Sequence, residues 1–418
     1  MSVSNMDEQK IGYDTNNLPG RHRIATTWKI VFQISTIIGI VSLSLLLYNI
    51  LTQTAGFVAV TNKVDPASLA IDGVSLEEMN EAQLIQVLQA NLNKNRFRTL
   101  DRQEPLAERI RDELYAVVLS DVVQPVIDDT WSLADSLTRG DEIRAEVAEK
   151  YPKATLVFTN WLNRRFITRS QDSDPLKAGV RTAILGSLWI IAITIVVALP
   201  VGISAAIYLE EYATDNWINR IIRTNINNLA GVPSIIYGML GLAIFVRGMS
   251  EITSGAAFDP SIDPASANGR TILSAGMTLA LLVLPVLIIN GQEAIRAVPN
   301  SLRMAGYGLG ATKWQTIWSH VLPNALPGIL TGTILAISRA LGETAPLVVV
   351  GAATYITFDP SGPFSNFTTL PIQIYQWTAR AQNEFRNLAA AAIFILLVLL
   401  LSLNAVAILL RNRYSRRT

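Results

Sequence analysis

This sequence predicts an all-α membrane protein with six transmembrane helices and a mostly helical extracytoplasmic insert domain. Of its 418 residues, 50% are hydrophobic and only 16% are charged, whereas about 25% of a typical soluble domain is charged. Several stretches are apolar enough to cross a bilayer. The charges are also segregated, because residues 52–175 contain 20 acidic and 14 basic side chains while the rest of the chain contains 13 acidic and 20 basic.

The apolar segments define the predicted spans. A helix needs about 20 predominantly apolar residues to cross a bilayer, and five segments meet this requirement: 30–51, 182–209, 226–246, 271–291 and 388–410. A sixth span is predicted within 325–357, where Gly342 and Pro346 interrupt the apolar run. The first run is longer than the apolar region of a signal peptide and no small-residue cleavage pattern follows it, so we expect it to remain as an anchor.

The distribution of Lys and Arg predicts the orientation. Basic residues flank both ends of the chain, for example Lys29 and Arg411. Because basic loops stay on the cytoplasmic side, both termini are predicted to be cytoplasmic. The predicted organisation is a cytoplasmic tail at 1–29, a first span at 30–51, an extracytoplasmic insert at 52–175, a membrane core at 176–411 with a cytoplasmic loop at 292–324, and a cytoplasmic tail at 412–418.

The insert is predicted to consist mainly of helices. Ser75 and Glu78 have the spacing of a capping box that opens a helix over 76–92. Further helices are expected over 105–124, with a proline at its start, and over about 130–150. The stretch 156–166 is aromatic and amphipathic, and either lies along the membrane surface or packs in a small helical core, which is the interpretation we favour.

Composition excludes several kinds of site. The chain has no cysteine, which excludes a disulfide framework, a thiolate metal site and a cysteine nucleophile. Its two histidines, His22 and His320, are far apart in sequence, so a histidine-rich metal site is also excluded. No metal or cofactor is expected. The sequence contains no G-x-x-x-x-G-K-[ST] loop, so ATP would have to bind to another chain.

The cytoplasmic loop before the fifth span carries the most informative pattern. Residues 300–321 are predicted to form two short helices around a flexible joint rich in glycine. Trp314 and a second tryptophan four residues later suit an exposed helix that fits into a partner's groove. Gly310 and Ala311 are expected to permit a close backbone approach, and Pro323 is expected to end the loop before the next span.

This stretch resembles the EAA loop of binding-protein-dependent ABC importer permeases, whose pattern is Glu-Ala-Ala, three residues, Gly, nine residues, Ile, one residue and Leu-Pro. The matching positions are Ala305, Gly310, Leu322 and Pro323. The departures are Met304 in place of Glu, Gly306 in place of the second Ala, and His320 in place of Ile. The missing Glu removes a charge-assisted contact expected at that position, but not the docking helix.

A narrower resemblance covers residues 176–410. Runs such as ALPVGISAAIYLEEYA, NNLAGVPSIIYGMLGLAIF and ISRALGETAPL are similar to the A-type permease subunits of high-affinity phosphate ABC importers. The insert at 52–175 is larger than that family's usual first outside loop, so the resemblance does not explain it.

The resemblance implies a type I ABC importer permease in a bacterial plasma membrane, a transport subunit rather than an enzyme, that moves inorganic phosphate. Its implied partners are a second, C-type permease subunit, a dimer of ATP-binding subunits and an extracytoplasmic phosphate-binding protein. Residues 301–320 would be the coupling region. The resemblance assigns these residues to ATPase coupling: Met304, Ala305, Gly306, Gly310, Ala311, Thr312, Trp314, Leu322 and Pro323.

Charged residues within the fifth span suggest a transport pathway. Arg339 and Glu343 are four residues apart, so they share a helix face and can pair. Intramembrane ions cost about 2.5–3.5 kcal/mol each even on lenient scales, so they usually face a pathway or a partner. With Thr344, they are predicted to line the phosphate pathway. The alternative is a structural ion pair that fixes subunit packing.

Other interpretations remain open at this stage. The cargo could be another oxyanion or small solute, because membrane physics alone does not distinguish them. A membrane-anchored sensor or scaffold that uses the insert to bind an outside partner is a different class, although such a protein needs only one or two spans. Glu210, Glu211 and Tyr212 are expected to form a solvated helix end, and Arg220 and Arg223 to be ordinary basic loop residues or ATPase contacts.

Overall fold

A computed structural model describes residues 18–71, 73–259, 268–353 and 355–415. The chain divides into two units, the first ending at Leu51 and the second beginning at Thr52. The described residues of the first unit all belong to one helix, α1 (Leu18–Gln53), of 36 residues. At 1.5 Å per residue it is about 54 Å long, ample for a bilayer core of about 30 Å.

The insert contains a sheet that the sequence did not predict. Strands β1 (Ala55–Asn62), β2 (Pro125–Thr130) and β3 (Thr155–Asn160) form an antiparallel sheet in the order β2-β1-β3. The amphipathic stretch at 156–166 is therefore not one helix, because 156–160 lie in β3 and 164–166 lie in a short helix that begins at Arg164. Strand β1 pairs with residues about 65 to 105 positions later in the chain, and such pairing is invisible to a local periodicity argument.

Helices still predominate in the insert, with boundaries that differ from the predicted ones. They are α2 (Glu81–Asn91), α3 (Lys94–Gln103), α4 (Arg111–Val118), α5 (Leu133–Thr138), α6 (Gly140–Lys150) and α7 (Arg164–Thr168), with short 3-10 turns at Pro66–Leu69 and Leu106–Glu108 and a π-helical turn at Leu119–Val123. The predicted capping box at Ser75 is wrong: Asn80 caps α2, and its side chain and that of Gln83 bond each other's backbone N–H. Leu84 and Leu88, one turn apart on α2, are both fully buried.

The membrane core consists of the remaining helices. They are α8 (Arg181–Ile207), α9 (Trp217–Ala230), α10 (Ser234–Gly241), α11 (Ser250–Thr253), α12 (Ile272–Arg296), α13 (Asn300–Gly308), α14 (Lys313–Thr316), α15 (Leu322–Gly342), α16 (Ala345–Val350), α17 (Leu370–Thr378) and α18 (Glu384–Ser415). π-Helical turns follow α8 at Tyr208–Tyr212, α10 at Leu242–Gly248 and α14 at Ile317–Val321. Among the described residues, five helices are long and apolar enough to cross a membrane, or six if one bent pair counts as a span.

The bent pair lies where the third span was predicted, at 226–246. Helix α9 ends at Ala230, and the chain turns by 106° before continuing from Ser234 to Gly248. Pro233 lies at the break with extended backbone angles. Proline cannot donate a backbone hydrogen bond and disfavours helix in the residue before it, which explains why the apolar run is interrupted there.

Helix α12 lies at the centre of the membrane core. It packs against α8 and α15, and the cluster of buried apolar side chains around it includes Ile190 of α8, Leu279 of α12 and Ala336 of α15. At one end of these helices lies α17, whose first residue Leu370 donates its backbone N–H to Ser187 of α8. At the other end lies α13. The described part of the core therefore has two distinct ends, here called the α17 end and the α13 end.

The insert and the membrane core share a hydrophobic cluster at the α17 end. Phe166 of α7 packs against Trp377 of α17 with ring centroids 6.0 Å apart, and Trp377 packs in turn against Phe385 of α18. Trp161 is buried in the same cluster. Core packing of the aromatic residues was the favoured prediction, but their partners belong to the membrane helices and not to the insert alone.

Candidate functional site

The loop predicted to couple to a motor subunit forms one short helix and a tight turn. Helix α13 ends at Gly308, and Gly310 adopts φ +79°. The next helix is started by Thr312, whose side chain accepts the backbone N–H of Gln315 while the side chain of Gln315 accepts the N–H of Thr312. This capping box satisfies two backbone donors at the helix start.

The second predicted short helix is present as α14 (Lys313–Thr316), but it is not separate, because the chain continues as one helical rod from Lys313 to Gly342. Pro323 lies in the first turn of α15, where the next span was expected to begin, and the rod continues through it. Proline removes one N–H from the hydrogen-bond ladder, and the preceding turn adopts a π-helical register in which Leu322 donates to Ile317. The aromatic residues of the loop are therefore carried by the first turns of a membrane helix.

Two glycines shape this region in different ways. A Cβ atom on Gly306 would lie 2.8 Å from the Oγ1 atom of Thr316, whereas one on Gly310 would meet nothing within 4 Å. The predicted close approach therefore occurs at Gly306, where α13 contacts the following helix. Gly310 serves the turn through its positive φ, which costs other residues steric strain. The replacement of the family's second Ala by Gly306 thus has a packing reason.

The α13 end presents an apolar surface. The apolar cap, as we call it, consists of exposed side chains on α13, the turn and the start of the next helix: Met304, Tyr307, Leu309, Trp314 and Trp318. Leu309 is 89% exposed, and the rings of Trp314 and Trp318 stack with centroids 5.6 Å apart. Val321, from the π-helical turn that follows, is instead buried in a cluster with Val298 and Ala325. A contiguous exposed apolar patch of this kind marks an interaction site.

An almost buried ion pair connects α13 to the ends of the membrane helices. Arg303 donates to Oε1 of Glu211 through Nε at 3.0 Å and Nη2 at 2.8 Å. The same guanidinium donates to the carbonyl oxygens of Ile295 and Val298. The side chains of Arg303 and Glu211 are only 14% and 7% exposed, so Arg303 joins α13 to the ends of both α12 and α8.

A second ion pair lies beside the first. Arg296 at the end of α12 makes a bidentate contact with Glu210, with both nitrogen–oxygen distances 2.9 Å. Arg223 of α9 also lies 3.9 Å from Glu210. The neighbouring Tyr212 ring lies 5.0 Å from the Lys313 ammonium, close enough for a cation–π contact.

The prediction of a solvated helix end is therefore wrong for Glu210 and Glu211, whereas Tyr212 is exposed as predicted. All three residues contact the loop or its flanks across about 85 to 100 positions of sequence. The signal in the sequence was a pair of carboxylates directly after an apolar span, together with arginines seven residues apart at the edge of the loop. The partners of these arginines became evident only in the fold.

The charged pair of the fifth span also lies at a helix end. Helix α15 ends at Gly342, and the chain is extended at Glu343 before α16 begins at Ala345. The Nε atom of Arg339 lies 3.5 Å from Oε1 of Glu343, with side chains 37% and 19% exposed. The interruption and the pairing expected from the sequence are both present, and Thr344 lies in the break itself.

Comparison with known proteins assigns the class. The family of binding-protein-dependent transport system inner membrane components matches residues 198–418. This match covers more than half of the chain and includes α13, the apolar cap, both ion pairs and the charged pair of α15. The chain belongs to this family, the permeases of ABC importers.

The relatives within this class include phosphate permeases. The chain is 34% identical over 245 residues to the phosphate transport system permease protein PstA 1 of Mycobacterium tuberculosis, covering 58% of this chain and 74% of that protein. It is 32% identical over 217 residues to the probable ABC transporter permease protein YqgI of Bacillus subtilis, covering 51% and 67% respectively. A solved inward-facing structure of the MetNI methionine ABC transporter aligns with a TM-score of 0.40 and 18% identity, covering 59% of this chain and 99% of that one.

Proposed function

We propose that this chain is one permease subunit of an ATP-driven importer of inorganic phosphate in a bacterial plasma membrane, with six spans and both termini in the cytoplasm. The relatives named for phosphate transport support this cargo. The proposed partners are a second, C-type permease subunit, a dimer of ATP-binding subunits and an extracytoplasmic phosphate-binding protein. The chain itself needs no cofactor, since ATP binds to the partner subunits.

The main observation behind this proposal is that the apolar cap is exposed while the residues that support it are fixed in place. Met304, Leu309 and Trp314 are each more than half exposed, while the residues beneath them are held by two ion pairs and a buried cluster. A rigid helix that displays apolar anchors suits insertion into a groove on another protein. We therefore assign residues 301–320 as the coupling region that receives the stroke of the ATPase.

Substitutions in the cap test this docking role. Trp314→Ala combined with Leu309→Asp should reduce the amount of ATP-binding subunit that co-purifies with the membrane complex by at least about tenfold, because interface anchors of this size each contribute about 2 kcal/mol or more. Tyr375→Ala is the matched control, since Tyr375 is a large aromatic residue, 62% exposed, at the opposite α17 end. Normal ATPase retention by the cap variant would refute the assignment.

For the pathway we propose Arg339, Glu343 and Thr344. Arg339 is partly exposed and close to the helix break, so its guanidinium can attract a phosphate anion. Glu343, 3.5 Å away, offsets part of that charge and so limits how tightly the anion is held. Thr344, in the break, supplies a hydroxyl next to the pair.

Uptake measurements in liposomes that contain the complete complex test this pathway. Arg339→Ala should lower phosphate uptake by at least about tenfold, and Arg339→Lys should retain part of it, because a lysine keeps the charge but not the planar fork. Arg181→Ala is the control, since Arg181 also pairs with a carboxylate, Asp359 at 2.8 Å, and is 47% exposed. Full uptake by the Arg339→Ala complex, with normal assembly, would eliminate the pathway role.

The cargo is tested with the same liposomes. Phosphate together with its binding protein should stimulate ATP hydrolysis by the wild-type complex, while sulfate should not. Stimulation by sulfate or by another solute, and not by phosphate, would reassign the cargo within the same class of transporter. A purified complex that contains no ATP-binding subunit would contradict the importer assignment itself.

A further inference from the structure

Helix α13 is joined to the membrane helices by more than its covalent connections. The chain runs from α12 through α13 into the rod that begins at Lys313, so a force on α13 would pass along those two helices. Helix α8 lies elsewhere in the sequence, yet its last turn, Tyr208–Tyr212, carries both carboxylates that bind the arginines beside α13.

The contact between Arg303 and Glu211, here called the joint, is rigid. Arg303 uses its guanidinium for Glu211 and for two backbone carbonyls at once. Its nearly complete burial excludes the water that would otherwise compete for these hydrogen bonds. Removing one charge of such a pair leaves the other buried without compensation. The joint therefore resists separation of α13 from α8.

The helix turns on both sides of this joint are unusual. The last turn of α8 and the turn Ile317–Val321 are both π-helical. Glu210 and Glu211 lie in the first of these turns, and Val321 of the second is buried in the cluster below the cap. π-Helical turns are rare and frequently occur at functional sites. Two such turns beside α13 indicate that the neighbouring helix ends are shaped to hold α13 in place.

We propose that the Arg303–Glu211 and Arg296–Glu210 pairs lock α13 to the end of α8, so that α13 and this end of α8 move as one body when the ATPase closes. Glu210 and Glu211 are then positioning residues. They allow motion of α13 to be transmitted to α8, in addition to α12 and α15. This inference rests on the proposed function, because it assumes that α13 receives the stroke.

A distance measurement tests the joint without disturbing it. The chain has no cysteine, so spin labels can be placed at Ser301→Cys in α13 and Tyr208→Cys at the end of α8, both exposed positions. In the complete complex, the distance between the labels should be the same without nucleotide and after trapping with ATP and vanadate. A change of more than about 3 Å, the rise of two helical residues, would overturn the proposal.

Charge variants test the functional consequence. Glu211→Gln should leave the ATPase bound and hydrolysing, but should reduce the phosphate taken up per ATP hydrolysed by roughly fivefold or more, the range expected for coupling between sites. The double variant Glu211→Arg with Arg303→Glu restores an ion pair and should recover much of this ratio. The control is Asp215→Asn, which breaks the exposed pair between Arg220 and Asp215 and should leave the ratio unchanged.

The outcomes separate this proposal from the one on which it rests. If the wild-type complex shows no ATP-dependent phosphate uptake, the proposed function fails and the inference fails with it. If the wild type is coupled and Glu211→Gln keeps the wild-type ratio, only the joint is refuted. If Glu211→Gln does not assemble, the charge-reversed double variant and the label distance in the wild-type background still decide the question.

Discussion

The docking of the insert onto the membrane core is expected to depend on Phe166. This side chain is 3% exposed and lies in the cluster that contains Trp377 and Phe385. Replacing a buried phenylalanine with alanine typically costs about 3–5 kcal/mol, because apolar contacts are lost and a cavity is left. Since about 1.4 kcal/mol corresponds to a factor of ten, Phe166→Ala should raise the population of the undocked insert roughly 10²- to 4 × 10³-fold.

Limited proteolysis of the purified protein measures this population, because cleavage tracks the equilibrium fraction of the open state when reclosing is fast. The cleavage rate within 52–175 should rise by that factor. Phe158→Ala is the matched control: Phe158 belongs to the same insert but is 53% exposed, so its loss should cost about 1 kcal/mol or less. Equal cleavage rates for the two variants would refute the argument that the shared cluster fixes the insert.

Two further predictions concern the glycines of the coupling region. Gly310→Ala should destabilise the turn by about 1–2 kcal/mol because of its positive φ. Gly308→Ala, in α13 with no atom within 4 Å of the new methyl group, should instead be neutral or stabilising by about 0.5–1 kcal/mol. Thermal unfolding compares the two variants, and equal melting temperatures would contradict the special role of Gly310 in the turn. Gly306→Ala restores the family's residue but should cost about 1–3 kcal/mol by overpacking against Thr316. Adding Thr316→Ala removes the contacting atoms and should recover most of the loss, so a double variant no more stable than Gly306→Ala would exclude this contact as the cause.

The coarse fold was accessible from the sequence because apolar length and charge segregation are summed over many residues. The long apolar helices lie where the apolar runs predicted them, and the pairing of Arg339 with Glu343 followed from their spacing on one helix. The exposed tryptophans at 314 and 318 and the break after Gly342 were also predicted. The family was recognisable from the matches at Ala305, Gly310, Leu322 and Pro323, although three positions depart from its pattern.

The errors concern features that depend on partners distant in sequence. The sheet of the insert was missed because β1 pairs with two strands far along the chain. The continuity of the second short helix with the following span was missed because Pro323 was expected to separate them, while the structure accommodates this proline after a π-helical turn. Pro233, in contrast, breaks its apolar run by 106°. Whether a proline ends, bends or merely shifts a helix depends on the packing around it.

The sequence by itself determined the class of protein, its apolar helices and the loop that carries the apolar cap, because these follow from local composition and spacing. Only the tertiary structure decided what holds that surface in place. Glu211 and Arg303 are separated by 91 intervening residues, and nothing in either local sequence distinguishes a solvated charge from a buried, paired one. Their burial against each other arises from the packing of α8 on α12, which brings the end of one span beneath the loop that follows another.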